Sequence, residues 1–384
     1  MQFVNKLRKR SGTALIATTL LEAPTVAALA RLVEPEATSS ASSGGKGGVT
    51  PLAVPEGRRS GAEAIRIGSG TRGRPIFLIH DGLGEVLLYR TLALKLGPVQ
   101  PVYGLQPEIR ADGSVVHTEI GTMAEAHIAK LKRVQPVGPF ILAGLCAGGV
   151  LAVEMARQLE AAGETVLFVG IIDAADVEAR ERPFFVARLR LKRFAHTLEA
   201  PGALHDRVGQ MARKARNLLL YEAAERVRQT RMRKTVHRLR AQPLDQEAAA
   251  PAKSSAPRSP AFLDVYKVAH REHRPRGVLR GPDVVLYRAT QGTGAPDDMP
   301  FFEQFSDCAL GWGLRVEEDL QIVPIGGGHV SALQEPHVSG LARAMRDGID
   351  AAMARAEERD RANPPVIARG ESASIEPHVT QMVA

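Results

Sequence analysis

The run GLCAGG at 144–149 sets a single cysteine among glycines. It follows the apolar stretch FILAGL (140–145) and precedes the amphipathic pattern VLAVEMARQLEAAG (150–163). A strand, a sharp turn and a helix in that order form the setting that a G-x-nucleophile-x-G motif requires. Gly144 and Gly148 are small because strand and helix pass very close at such a turn, and Cys146 would be held strained with its tip exposed. The helix N-terminus adds positive potential, which favours a thiolate. The N–H of Ala147 would then point at the oxyanion that develops as the thiolate attacks a carbonyl. The competing reading is a buried cysteine in a glycine turn, and the flanking strand and helix weigh against it.

A nucleophile of this kind needs an orienting acid and a base, in that chain order. Asp173 ends the apolar run VLFVGIID (166–173), 27 residues after Cys146, where a strand-end carboxylate belongs. Asp176 is the fallback acid, and a helix cap is the alternative role for Asp173. The base should come from a loop after the last strand, and PIGGGHVSALQEPHV (324–338) fits. Its three glycines can return the backbone over the sheet and present His329. His337, beyond Pro336, competes but is expected to begin the last helix. His329 would take the thiol proton while Asp173 fixes its tautomer. A second oxyanion donor should follow the first strand of the body. There HDGLGE (80–85) offers the N–H of Gly82 or Leu83. The same turn has neither the lysine nor the spacing of a phosphate loop.

The elements that must position these groups alternate in kind. PIFLIH (75–80), PVYGLQ (101–106), FILAGL, VLFVGIID, DVVLYRA (283–289) and LQIVPIG (320–326) read as buried strands. Helical patterns lie at 85–96, 122–134, 150–163 and from about 340 to 361. Such alternation predicts an α/β fold with a mostly parallel, doubly wound sheet. About a hundred residues (180–282) interrupt it after the strand that carries Asp173. An insertion there would sit above the carboxyl edge of the sheet, where ligands bind, so it reads as a helical lid. Residues 35–64 form a Ser/Gly/Pro-rich linker, 65–362 the globular body, and 363–384 a tail without a core pattern.

Composition narrows the function classes. The net charge is +8, yet residues 180–240 hold 17 Lys+Arg against 5 Asp+Glu, leaving about −4 on the rest. Arg188, Arg190, Lys192, Arg193, Arg226, Arg228, Arg231 and Arg233 carry much of this charge, which suggests an acidic partner. No aromatic interleaving or known module accompanies it, so nucleic acid is not expected. The chain shows no run of eighteen apolar residues and no signal-peptide pattern, so no membrane partner is expected. Two cysteines in 384 residues leave no disulfide framework and fit a reducing, cytoplasmic setting. No metal site or cofactor of the chain's own is expected.

From about 75 to 345 the chain resembles the type I thioesterase domain of polyketide synthases and non-ribosomal peptide synthetases, which has the α/β-hydrolase fold. PIFLIHDGLGEVLLYRTLALKL, PVYGLQ, GPFILAGLCAGGVLAVEMARQLEAAG, GIIDA, VVLYRA, the GW at 311–312 and GGGHVSALQEPHV carry the resemblance in order. Residues 1–34, notably TALIATTLLEAPTVAALARLV, resemble the last helices of a carrier protein. The resemblance implies that an acyl or peptidyl chain passes from a carrier's phosphopantetheine arm to the nucleophile. Release by hydrolysis, aminolysis or cyclisation would follow. The upstream carrier domain is then the partner, and the serine bearing its arm would lie just before Met1, in a larger synthase. The family usually has Ser at the position of Cys146 and Pro at that of Asp81. Cysteine relatives that shuttle acyl groups between carriers leave an acyltransferase reading open, and an inactive carrier-docking module is a third.

Overall fold

A computed structural model describes residues 61–110, 113–182, 204–241, 261–295, 297–316 and 320–362, the side chains of 204–222 only in part. The expectations for residues 1–34, for most of the linker 35–64 and for 363–384 concern residues outside this set. So do those for Arg188, Arg190, Lys192 and Arg193.

Among the described residues, seven strands form one sheet: β1 (Ile65–Arg66), β2 (Ile76–Ile79), β3 (Val102–Leu105), β4 (Phe140–Leu145), β5 (Val166–Ile172), β6 (Asp283–Ala289) and β7 (Gln321–Ile325). Their spatial order is β1-β3-β2-β4-β5-β6-β7. Every pair is parallel except β1 with β3, so the doubly wound α/β sheet is as predicted. The two-residue β1 is an addition, too short for any periodicity to reveal.

Every residue of β2, β4 and β5 is buried, because helices cover both faces. The strands send alternate side chains to opposite sides. Phe77, Ile79, Leu142 and Val169 face α2 (Ile120–Val134) and α3 (Ala147–Ala161). Ile76, Leu78, Ile141 and Phe168 face α1 (Arg90–Leu96) and the long C-terminal helix Val338–Ala362.

Two helix starts differ from the sequence reading. α3 begins at Ala147 rather than 150, because the glycines after Cys146 are already helical. The region from 85 opens as loop and a 3-10 turn, Leu87–Tyr89, and becomes α-helical only at Arg90. Tyr89 explains this placement. Its buried hydroxyl donates to Ile79 O (2.8 Å) and accepts the N–H of Leu145 (2.7 Å), tying the ends of β2 and β4 together.

The insertion between β5 and β6 contains α4 (Leu204–Arg240) and α5 (Phe262–Glu272). α5 buries Phe262, Val265, Tyr266, Val268 and Ala269, a stripe at helical spacing. Ion pairs join the two helices: Arg228 with Asp264 (2.9 Å), and Arg233 and Arg240 with Glu272 (2.8 Å each). Arg240 also donates to the backbone of Thr118 at the start of α2, which fixes the end of α4 to the body. α5 lies over the first loop, with the Phe262 ring edge-on to His80 and Leu263 beside Gly82.

At the crossing of β4 and α3 there is no room for side chains. A Cβ on Gly144 would fall 2.3 Å from Gly148 C, and one on Gly148 would fall 2.4 Å from Ile79 O. Gly340, exposed near the start of the last helix, has nothing within 4 Å of such an atom. Gly148→Ala is therefore expected to destabilise the protein by roughly 1–3 kcal/mol or more. Gly340→Ala should stabilise it by about 0.5–1 kcal/mol. Urea titrations of the two variants check both signs.

Candidate active site

Cys146 occupies the turn between β4 and α3 with φ 55° and ψ −116°. Only a tightly constrained turn holds a non-glycine residue there, at a strain of order 1–3 kcal/mol. The constraint comes from both sides. The Cys146 N–H donates to Ile172 O (3.1 Å), and the Cys146 carbonyl accepts the N–H of Gly149 (3.1 Å). Ala147 is the first residue of α3, so its N–H has no acceptor within the helix.

Asp173 follows β5 directly, is fully buried, and also has a positive φ of 37°. Its N–H donates to Tyr287 O (2.8 Å), which carries the β5–β6 ladder one residue past the strand. The carboxylate accepts the N–H of Ala289 at Oδ1 (3.3 Å) and that of Phe301 at Oδ2 (3.2 Å). The same Oδ2 lies 2.8 Å from His329 Nδ1. Nδ1–H therefore donates to the carboxylate, and Nε2 is left to face the thiol. Cys146 is near enough to the ring to act on it electrostatically.

Burial works against a charged His329, but the hydrogen bond to Asp173 and the influence of Asp173 and Cys146 beside the ring outweigh it. The imidazole pKa is raised to about 10. The Phe301 ring stacks on the imidazole at 4.3 Å between centroids, with 14° between planes. Of the sequence-predicted residues, Asp173 and His329 thus meet across 156 positions of chain, and Cys146 occupies the turn after β4.

The other candidates stand elsewhere. Asp176 is buried against Arg315, whose Nε lies 3.4 Å from both its carboxylate oxygens, and not against a histidine of the glycine loop. His337 packs under the glycines, its Nδ1 2.9 Å from where a Cβ of Gly326 would be. In the first loop, Asp81 Oδ1 accepts the N–H groups of Leu83 (2.9 Å) and Glu85 (3.0 Å). The Leu83 N–H is thus taken by a side chain, whereas Gly82 is buried with Leu263 beside it. The Asp81 carboxyl is itself close enough to interact electrostatically with His329, and burial pushes its pKa up.

His80 and His127 form a second buried pair, Nε2 to Nε2 at 3.1 Å. Burial drives the His80 pKa down to about 3 and that of His127 well below its usual value, so both rings are neutral at neutral pH. Among the described residues no group of side chains is arranged to hold a metal ion. Sequence reasoning missed Tyr89, Asp298 and Phe301. Asp298 and Phe301 lie in none of the quoted stretches, Tyr89 lies in that of 75–96, and each acts through its fold position.

The Asp173–His329 contact has a sign that can be worked out. The folded-state imidazole pKa lies above the unfolded value of about 6.5. Its stabilising contribution is therefore complete below that pH and is lost as the pH rises through about 10. Asp173→Asn should bring the His329 titration, followed by NMR of the imidazole, well down toward the ordinary histidine range. An unmoved titration would contradict the contact.

A family model described as "Thioesterase domain" matches residues 74–347, well over half of the chain. Among curated proteins, an inactive atromentin synthetase of Paxillus involutus is 38% identical over 117 residues, 30% of this chain and 12% of that protein. An atromentin synthetase of Serpula lacrymans var. lacrymans is 39% identical over 99 residues, 26% of this chain and 10% of that protein. The matched stretch is thus about a tenth of these relatives' length. Among solved structures, the NocB thioesterase domain in covalent complex with a fluorophosphonate nocardicin G analog is 22% identical. Its TM-score is 0.43, over 72% of this chain and 95% of that one. A four-domain nonribosomal peptide synthetase bound to AMP and glycine is 21% identical, with a TM-score of 0.47, over 94% of this chain and 23% of that one. On the family match and the sheet just described, the chain belongs to the thioesterase-domain family and has the α/β-hydrolase fold.

Proposed function

We propose that this chain is a thioesterase with a Cys146–His329–Asp173 triad. It takes an acyl or peptidyl chain from the phosphopantetheine arm of a carrier domain and releases it by cyclisation, aminolysis or hydrolysis. The observation that carries the reading is the strained turn at Cys146 beside an imidazole that is bonded to a buried aspartate and feels the cysteine electrostatically.

In the first step the thiol proton already resides on His329, whose raised pKa favours the imidazolium, and the thiolate of Cys146 attacks the thioester carbonyl of the loaded arm. The N–H groups of Ala147 and Gly82 stabilise the oxyanion. The tetrahedral intermediate collapses, the pantetheine sulfur leaves with the proton from His329, and the chain is held as a thioester on Cys146. In the second step His329 takes a proton from water, an amine or a hydroxyl, which attacks the new thioester. The Cys146 sulfur leaves and recovers that proton. Asp173 keeps Nδ1 protonated through both steps and stabilises the imidazolium. Phosphopantetheine belongs to the partner, and no cofactor of the chain's own takes part.

The cysteine bears on the second step. A serine would hold the chain as an oxoester, less reactive toward amines, whereas Cys146 conserves the energy of the carrier thioester. Aminolysis, closure of a strained ring or transfer to another acceptor is then favoured over plain hydrolysis. Transfer between carriers is the alternative that this conserved energy also supports. Two free thiols, Cys146 and Cys308, agree with a reducing cytoplasmic setting. No helix among the described residues is long and apolar enough to cross a membrane. The relatives named inactive are the reason to keep a docking module without turnover as a second reading.

Product release from a chain-loaded carrier tests the triad. Cys146→Ala should abolish release with binding retained, and His329→Ala should lower it by roughly 10²–10⁴-fold. His337→Ala should stay within a few-fold of the wild type. Release by Cys146→Ala at the wild-type rate would remove the reading, and a wild type that binds but releases nothing would favour the docking module. Cys146→Ser should acylate and then stall or hydrolyse. If it forms the same product at a comparable rate, the conserved-thioester argument has no force.

The insertion supplies the carrier contact in this reading. Arg228, Arg233 and Arg240 are engaged by Glu225, Asp264 and Glu272, whereas Arg226, Arg231, Lys234 and Arg238 stand exposed on α4. An acidic carrier surface or the arm's phosphate would meet these. Carrier affinity should fall roughly tenfold between low and high ionic strength. Arg226→Glu with Arg231→Glu should remove most of that dependence. A salt-independent affinity would remove this part of the proposal.

A further inference from the structure

The loop that carries His329 is held by a residue outside the triad. Asp298 lies between β6 and the four-residue helix Phe301–Gln304 and is 4% exposed. Its Oδ1 accepts the N–H groups of Val330 (2.9 Å) and Ser331 (2.7 Å). Its Oδ2 accepts the Ser331 hydroxyl (2.8 Å) and the N–H of Thr293 (2.8 Å). Its main-chain carbonyl accepts the N–H of His329 itself (3.2 Å). The Ser331 hydroxyl in turn accepts the N–H of Gly328 (2.8 Å).

Residues 329–331 are therefore bonded directly to Asp298, and Gly328 is tied to it through the Ser331 hydroxyl. The approach is close enough to demand glycine, since a Cβ on Gly328 would fall 2.0 Å from Asp298 O. Three residues on, Phe301 stacks on the His329 ring and donates its N–H to the same Asp173 oxygen that His329 meets. One short segment thus fixes the backbone, the ring plane and the acceptor of the histidine.

We infer that Asp298 is a positioning residue, whose carboxylate and carbonyl hold the 328–331 loop so that the His329 ring stays between Asp173 and Cys146. Both its carboxylate oxygens are engaged by the protein, so it acts through His329 and not on a substrate. A charged acceptor suits the task. It offers lone pairs to four donors at once, and hydrogen bonds to a charged group are about twice as strong as neutral ones. The burial of Asp298 opposes its charge, yet these bonds hold its carboxyl well below the usual range, so the clamp stays ionised at neutral pH. Asp298→Asn keeps the shape but turns an acceptor into a donor that faces the N–H of Thr293 or the donors of residues 330–331.

This inference rests on the reading of His329 as the base for Cys146, and its test needs no acyl donor. In a Cys308→Ser background, iodoacetamide modifies one thiol, followed by intact mass at about pH 7 and about pH 10.5. At the lower pH a well-placed His329 assists; at the higher, the thiol ionises without a base. Asp298→Asn should react roughly tenfold more slowly at about pH 7 and within about twofold of the parent at about pH 10.5. Thermal melting reports separately whether the fold is retained. Ser331→Ala, which removes only the two bonds of the Ser331 hydroxyl, should shift the profile the same way by less, and decides the matter if Asp298→Asn does not fold. A folded variant with an unchanged profile, or one slowed equally at both pH values, overturns the inference. If the variants shift as expected while the wild type releases no acyl chain, the clamp stands and the release reading falls. If release is established and Asp298→Asn alkylates and releases like the parent, the clamp alone falls.

Discussion

The close crossing of β4 and α3 is the constraint on which the site depends. A Cβ on Gly144 would meet the backbone of α3, and one on Gly148 would meet that of Ile79 and His80 at the end of β2, so either would push the helix off the sheet. With glycine at both, the chain reverses within Cys146 at φ 55°, and the thiol rises from the edge of the sheet. Strain of about 1–3 kcal/mol is retained there. It is offset by the fully buried strands on either side and by the Tyr89 hydroxyl, which binds the ends of β2 and β4 where their ladder stops. The same turn starts α3, so that one backbone feature both exposes the sulfur and aims the first helical N–H groups near it.

Electrostatics complete what the turn begins. Asp173 is buried with its oxygens bonded to Ala289, Phe301 and His329, so its charge is directed at one ring. That ring in turn is held by stacking on Phe301 and by the Asp298 clamp on its backbone. Asp81 adds a second carboxyl near His329, and it takes the Leu83 N–H for itself. The insertion covers this loop through Phe262 and Leu263, which links the placement of α5 to the shape of the site.

Much of this was legible in the residues. The strands were readable because a parallel sheet covered on both faces needs unbroken apolar runs, and FILAGL and VLFVGII have them. Cys146 and His329 were readable because turns that expose a side chain above a sheet need glycine, and GLCAGG and GGGH carry it. Asp173 was readable from its place at a strand end. What could not be read depends on tertiary approach. β1 is two residues long, and the helix expected from 85 is shortened by a tyrosine whose partners are ten and 56 positions away. Asp298 lies in a stretch of turn-forming residues, GTGAPDDMP, with nothing to set it apart from Asp297. Its role appears only when the 328–331 loop is folded against it. Leu83 looked as suitable a donor as Gly82 until the Asp81 side chain was seen to bond it.

The central claim is that an acyl chain is carried covalently on Cys146. Peptide mapping of the protein after brief exposure to an acyl-pantetheine thioester tests it most directly. The acyl mass should be found on the peptide containing Cys146 and be removed by neutral hydroxylamine, as a thioester is. It should be absent from Cys308, the exposed free cysteine. An acyl group found on another residue, or on none while product still accumulates, would contradict the account.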